Sequence, residues 1–207
     1  MRRSGVLMPV FSLPGEYGIG CFSRQAYRFV DFLAGAGQTY WQLLPLGPTS
    51  YGDSPYQSFS TFAGNPYFIS LEELIDGGLL SEEECRAADL ESDPERIDYA
   101  ILYERRYDLL RRAFERSGIE GNQDFQAFVR DNAFWLEDYA LFMALKKANG
   151  GKSFTEWDPS LRDREPEAMD RARQDFRQEI LFHEYLQFVF QDQYFRLKAY
   201  ANGKGIE

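Results

Sequence analysis

The stretch YWQLLPLGPTSYGDSPYQSFSTFAGNPY, Tyr40 to Tyr67, restricts the fold more than any other part of the chain. It opens as an apolar, aromatic run from Tyr40 to Leu46, short and bounded by breakers, which is the pattern of a buried strand. Pro45, Gly47 and Pro48 end any regular element there. The loop that follows is about twenty residues long, more than a compact domain carries unless the loop has a task. In it Tyr51, Tyr56, Phe59, Phe62 and Tyr67 alternate with Ser50, Asp53, Ser54, Gln57, Ser58, Ser60 and Asn65. Flat rings interleaved with short hydroxyl and amide groups suit a ligand that is apolar on its faces and polar at its rim, as sugars are. A strand leading into such a loop is also the local anatomy of the catalytic end of a barrel enzyme.

The segments before this stretch complete a βαβ unit. Gly5–Phe11 reads as a short strand and Ser12–Gly20 as a glycine-rich turn without dinucleotide-binding spacing. Ser23 caps a helix expected to turn Tyr27, Val30, Phe32 and Leu33 to a core, stopped by Gly35 and Gly37. The strand Tyr40–Leu44 then returns parallel to the first. Two strands cannot close a barrel, which takes eight and about 250 residues.

Beyond Tyr67 the pattern is helical. Ser70 with Glu73 and Ser81 with Glu84 are capping boxes. Residues 87–96 read as an exposed connector. Asp98 caps a helix from Tyr99 to about Arg116, Asn122 starts another, and Phe134–Lys147 forms a third with Lys146 and Lys147 in its last turn. Pro166 begins one long helix running to about Ala201. Apolar residues nearly encircle its middle, so part of it is expected to need cover from outside this chain.

Composition narrows the partners. The 207 residues carry a formal net charge of −10, which argues against nucleic acid and anionic membranes, since both demand basic patches. Cys21 and Cys85 have no metal-ligand spacing and are expected to stay free thiols. No signal-like or membrane-spanning run is present in the sequence, which leaves the cytoplasm as the expected location. Paired carboxylates are sparse. Glu137 and Asp138 point to different helix azimuths, Glu16 lies in the first turn, and Asp53 suits an Asx turn or orientation of the loop. The lone histidine, His183, sits in an apolar helical pattern and reads as structural, so Ser12, Ser54 and Ser58 have no triad to join.

The blocks GPTSYGDSPYQSFSTFAGNPYFIS and RSGVLMPVFSLPGEYGIGCF resemble the 4-α-glucanotransferases called amylomaltase or disproportionating enzyme, glycoside hydrolase family 77. The resemblance continues through IDYAILYERRYDLLRRAF, FWLEDYALFMALK and LFHEYLQFVFQDQYFRLKAYANGKGI. It implies an α/β fold, the incomplete N-terminal part of a (β/α)8 TIM barrel with a large, mostly helical inserted subdomain. On that reading residues 1–69 hold the first two barrel strands and the binding loop, 70–164 the insertion, and 165–207 a helix leading back to the barrel. The resemblance also implies transfer of α-1,4-glucan segments by a retaining double displacement, without cofactor or metal. The catalytic carboxylates would come from later strands, so this chain is expected to be inactive alone and to pair with a C-terminal part of the same enzyme. Substrate-binding roles carry over to Ser54 and Tyr56 beside the cleavage point and to Tyr51 and Tyr103 at a second glucan groove. Where the family commonly has an aspartate after GIG, this chain has Cys21. The alternative reading is a stand-alone glucan-binding or regulatory module.

Overall fold

The structure is a computed structural model that describes residues 3–49, 53–90, 93 and 95–207. The chain folds as two compact units, one of Met1–Gly118 with Val189–Glu207 and one of Ile119–Phe188.

The first unit begins with strand β1 (Gly5–Leu7), helix α1 (Arg24–Gly35) and strand β2 (Tyr40–Gln42). β1 and β2 are parallel, with Gly5 opposite Tyr40 and Leu7 opposite Gln42. Both strands are shorter than the sequence suggests. Pro9 has no N–H for the ladder, and the chain turns into a 3₁₀ segment at Val10–Ser12. On the other edge of β2, the Glu207 N–H donates to Thr39 O and the Trp41 N–H donates to Glu207 O, both at 2.9 Å. That is a parallel rung in line with Gly5 and Tyr40.

Ser23 caps α1 as expected, its hydroxyl accepting from the Gln25 N–H at 3.3 Å. The buried stripe, however, is Ala26, Val30 and Leu33. Phe32, expected in the core, is instead 64% exposed, lying against Phe29, which packs edge-on to Trp41. A pattern of apolar residues shows that a helix has a buried side but not how wide it is. Here the small residue Ala26 sets the centre of the buried stripe and Phe32 falls outside it.

Helices α2 (Leu71–Asp76) and α3 (Glu82–Ala87) follow. Ser81 and Glu84 form the complete reciprocal box. At Ser70 only half of it forms: the hydroxyl accepts from the Glu73 N–H, while the Glu73 carboxylate bonds to Arg196. Asp98 caps α4 (Tyr99–Ile101), which passes through a π-helical turn, Leu102–Arg106, into α5 (Tyr107–Ser117). Leu102, Leu109, Leu110 and Ala113 form its buried side. Leu90 is also buried, so the connector at 87–96 is anchored rather than wholly exposed.

The second unit holds α6 (Gln123–Asp131), α7 (Ala133–Ala148), α8 (Pro159–Arg162) and α9 (Pro166–Asp175). Leu141, Leu145, Trp157, Met169 and Ala172 form its core, with Phe142, Leu161, Phe176 and Ile180 against them. The expected single helix from Pro166 is two. Phe176 leaves helical geometry at φ −106°, ψ 18°, and α10 (Arg177–Gly203) starts after it. No glycine or proline marks this break; Phe176 packs on the core there, and tertiary packing overrides local propensity. The middle of α10 was expected to be left partly uncovered; Phe182, Tyr185, Leu186 and Phe190 are buried, whereas Ile180, Leu181, Phe188 and Val189 are only half-buried. Exposed large apolar side chains lie instead at Leu7, Phe32, Phe62, Phe134 and Phe195, among others. Among the described residues the structure shows two parallel strands and no closed barrel.

Candidate functional site

The long loop after β2 is held by its own serines. Ser54 O accepts from the Gln57 N–H at 3.0 Å, and Ser54 Oγ accepts from the Tyr56 N–H at 3.4 Å. Ser58 Oγ donates to Ser60 O at 2.8 Å, and Ser60 Oγ accepts from the Ala63 N–H at 3.1 Å. An antiparallel bridge joins Thr49 to Ser58, and the Asn65 N–H donates to Leu46 O at 2.8 Å, closing the base. Short hydroxyl side chains that bond their own backbone give a loop a fixed shape without secondary structure.

That shape encloses an open cleft of about 910 Å³ between the loop and residues Phe190 and Tyr194 of α10. Its walls are aromatic at Tyr56, Phe59 and Phe62 and carry hydroxyls at Ser58, Ser60 and Thr61. Phe190 and Tyr194 stack with centroids 6.2 Å apart, and Phe22 packs edge-on to Phe190 at 5.2 Å. Gly64 lies so close to Phe190 that any Cβ there would overlap the ring. Loop and helix therefore form one surface. No carboxylate lines this cleft among the described residues.

Of the residues expected at a binding site, Tyr56 is on the cleft wall and 72% exposed, its ring open to a stacked ligand. Ser54 lies two residues before it and outside the cleft lining, its hydroxyl accepting from the Tyr56 N–H to shape the turn. Tyr103 is 67% exposed on the π turn, away from the cleft lining. Tyr51 lies outside the described residues. Sequence reasoning missed Phe190 and Tyr194, because their helical pattern reads as plain core.

It also missed a cluster of tyrosines around Tyr103. Tyr103 and Tyr107 have centroids 6.2 Å apart, Tyr107 meets Tyr67 edge-on at 5.9 Å, and Tyr99 lies 6.2 Å from Tyr67. The spacing 99, 103, 107 is a signal of one helix face that the sequence did carry. Burial pushes the Tyr67 hydroxyl up from its ordinary value, and the nearby Asp53 adds to that shift; the same two causes raise Tyr99. The expected Asx turn at Asp53 does not form. Asp53 adopts φ 58°, and the local turn is made by the Ser54 hydroxyl instead.

Beneath the cluster, at the end of the π turn, Arg106 is fully buried. Its Nη1 donates to Tyr17 O at 3.1 Å and its Nη2 to Ile69 O at 2.7 Å. It thus ties the turn after β1, the segment closing the long loop and the helix that displays Tyr103. Desolvation lowers its pKa, opposed chiefly by the Cys21 thiol. Cys21 therefore stands beside a cation that has no carboxylate partner among the described residues.

Other chemical groups stay out of the site. Cys21 and Cys85 are free and buried, and burial pushes the Cys85 thiol up to about 11, which makes it a poor nucleophile. His183 is buried on α10, 3.4 Å from Glu179. Asp138 pairs with Arg164 at 2.6 Å. Among the described residues no group of three His, Cys, Asp or Glu side chains could hold a metal, and no helix is long and apolar enough to cross a membrane.

Residues 8–207 match the glycoside hydrolase 77 family, described as 4-alpha-glucanotransferase. The chain is 47% identical to the 4-alpha-glucanotransferase of Streptococcus pneumoniae over all of its own length and 41% of that protein. The Thermus thermophilus 4-alpha-glucanotransferase is 46% identical over 99% of this chain and 41% of its own. Amylomaltase from Streptococcus agalactiae, solved in complex with acarbose, superposes with a TM-score of 0.95 at 43% identity, covering all of this chain and 42% of that one. The chain thus spans about two fifths of the length of these relatives.

Proposed function

The chain belongs to the 4-alpha-glucanotransferase family, glycoside hydrolase family 77, and from that premise we propose that it is the N-terminal part of an enzyme moving α-1,4-glucan segments between maltooligosaccharides or longer chains. The observation that carries this reading is the cleft, where the exposed Tyr56 ring stands among loop hydroxyls on a surface rigidified by Phe190. A ring of that kind takes the C–H face of a glucose unit, while Ser54 and its neighbours fix the rim. Residues 1–69 then supply the first two strands of a (β/α)8 barrel with the binding loop, 70–164 a helical insertion, and 165–207 the return to the barrel. Tyr51 and Tyr103 belong to a second groove that holds a more distant part of the glucan. Two buried thiols suit a reducing, cytoplasmic setting.

A retaining double displacement needs two carboxylates about 5 Å apart. The described lining of the cleft has none, so the chain contributes binding and positioning, and the remaining three fifths of the family's length contribute the bond-breaking groups. Remote binding of this kind still serves catalysis, because contacts along the glucan hold the scissile bond in register. The same observation would suit a glucan-binding module that performs no chemistry.

Titration calorimetry with maltoheptaose tests the reading. The chain should bind it saturably, and Tyr56→Ala should weaken binding by about three- to tenfold, the value of an aromatic contact beyond its area. Wild-type affinity in the variant would remove Tyr56 from the site. The 207-residue chain should release no glucose from maltotriose; release would place the catalytic groups within it.

A further inference from the structure

The N-terminus of α2 and the C-terminal half of α10 exchange the parts of one helix cap. In a complete capping box the Glu73 carboxylate would accept from the Ser70 N–H. Here that carboxylate bonds to Arg196, and the Ser70 N–H donates instead to Gln193 Oε1 at 2.7 Å. Gln193 Nε2 returns a longer bond to Ser70 O at 3.5 Å. Gln193 is only 2% exposed, although glutamine is a side chain that folded proteins mostly leave in water. A local box would satisfy the same N–H, so what the exchange adds is a fixed register between α2 and α10. That register reaches the cleft. Phe190, Gln193 and Tyr194 follow i, i+3, i+4 spacing and share one side of α10, and Phe190 and Tyr194 line the cleft. Ser70, for its part, follows the 3₁₀ turn Pro66–Phe68 at the end of the long loop. A slip of α10 by one residue's rise, about 1.5 Å, would carry both rings that far relative to Tyr56.

We propose that Gln193 is a positioning residue of the cleft: by bonding the Ser70 backbone it sets the helix wall of Phe190 and Tyr194 at the separation from Tyr56 that a glucose unit needs. Gln193 is not part of the cleft lining and touches no sugar; it acts through the rings on either side of it in the helix. The contact of Gly64 with the Phe190 ring marks where loop and helix meet, and the Ser70 bond fixes how far along α10 they do so. This assignment rests on the reading of the cleft as a glucan site and adds the group that holds its two walls in register.

Titration calorimetry with maltoheptaose and urea unfolding, run on the same variants, test this. Gln193→Met keeps most of the volume and removes both bonds. Glu73 is then free to return to the Ser70 N–H, so the unfolding midpoint should move little while affinity falls about threefold or more. Added to Tyr56→Ala, the same substitution should cost less than about twofold, because the helix wall has no ring left to oppose. Gln193→Glu keeps an acceptor for the Ser70 N–H and should bind within about twofold of the parent. Ser81→Ala, which weakens the cap of α3, should lower the midpoint and leave affinity unchanged. A fall in affinity there would mean that binding merely follows stability, and would overturn the proposal. A lower midpoint with the parent's affinity in Gln193→Met, or loss of its folded state, would make the residue structural and overturn the proposal while the cleft stands. Equal losses in Gln193→Glu and Gln193→Met would overturn the part assigned to the Ser70 bond. Absence of maltoheptaose binding by the parent chain would overturn the cleft reading and the positioning role together.

Discussion

Replacing Arg106 by methionine should destabilise the first unit by about 2–4 kcal/mol, because three segments lose their common tie. The guanidinium makes two hydrogen bonds to backbone carbonyls, those of Tyr17 and Ile69. A bond from a charged donor contributes about 1.5–3 kcal/mol, and a buried carbonyl left without its donor costs about 1–3 kcal/mol. Against this stands relief: a fully buried cation without a carboxylate partner carries a desolvation penalty of several kcal/mol that methionine does not. Methionine fills much of the volume, so the packing term is small. The two bonds outweigh the relief because the fork satisfies two carbonyls from different segments at once. Lysine keeps the charge but has no planar fork to span both, so Arg106→Lys should be no more stable than Arg106→Met. Urea unfolding followed by circular dichroism checks this, with the midpoint falling at constant m-value. A midpoint equal to or above wild type for Arg106→Met would refute the reasoning, showing the cation to be a liability rather than a tie.

Two further outcomes follow from packing and charge. Gly64→Ala places a methyl group inside the Phe190 ring and should cost about 1–3 kcal/mol and weaken maltoheptaose binding; Phe190→Leu in the same protein should restore part of the stability, read by unfolding midpoints. Glu184 is raised to about 7 by burial and by Glu137. The folded state then holds a proton that the unfolded state has released above about pH 4.3, so stability falls as pH rises from there to about 7 and levels off beyond. Glu184→Gln should remove this slope and stabilise at pH 7.5 by on the order of 1–2 kcal/mol after solvent screening, with no gain at pH 4; equal melting differences at both pH values would contradict it.

What the sequence made legible was local. Ser23, Ser81, Asp98 and Asn122 start their helices as their side chains dictate, since a cap needs only the next few residues. The βαβ order was legible because β-branched, aromatic and breaker residues mark a short strand on each side of one amphipathic helix. The strands were expected to be buried, however, and are instead exposed at Gly5, Leu7, Tyr40 and Gln42 and half-buried at Val6 and Trp41. What failed was decided by distant partners. Glu73 left its capping box for Arg196, Phe176 broke a helix to reach a core, and Phe32 fell outside a buried stripe centred on Ala26. The site shows the same division. The loop's interleaved rings and hydroxyls were legible as a ligand surface and the family resemblance singled out Tyr56 and Ser54 within it, whereas Phe190 and Tyr194 line the cleft from a helix more than a hundred residues later in the chain. Nothing in the run ERRYD singles out Arg106, and only the fold reveals that it is buried.

The most direct measurement of the central claim is a crystal structure of this chain soaked with maltoheptaose. The account predicts glucose units stacked on Tyr56 in the cleft beside Phe190, with a second segment on the tyrosine surface at Tyr103. An empty cleft at saturating sugar, or glucan bound only at other exposed rings such as Phe134 or Phe154, would contradict it.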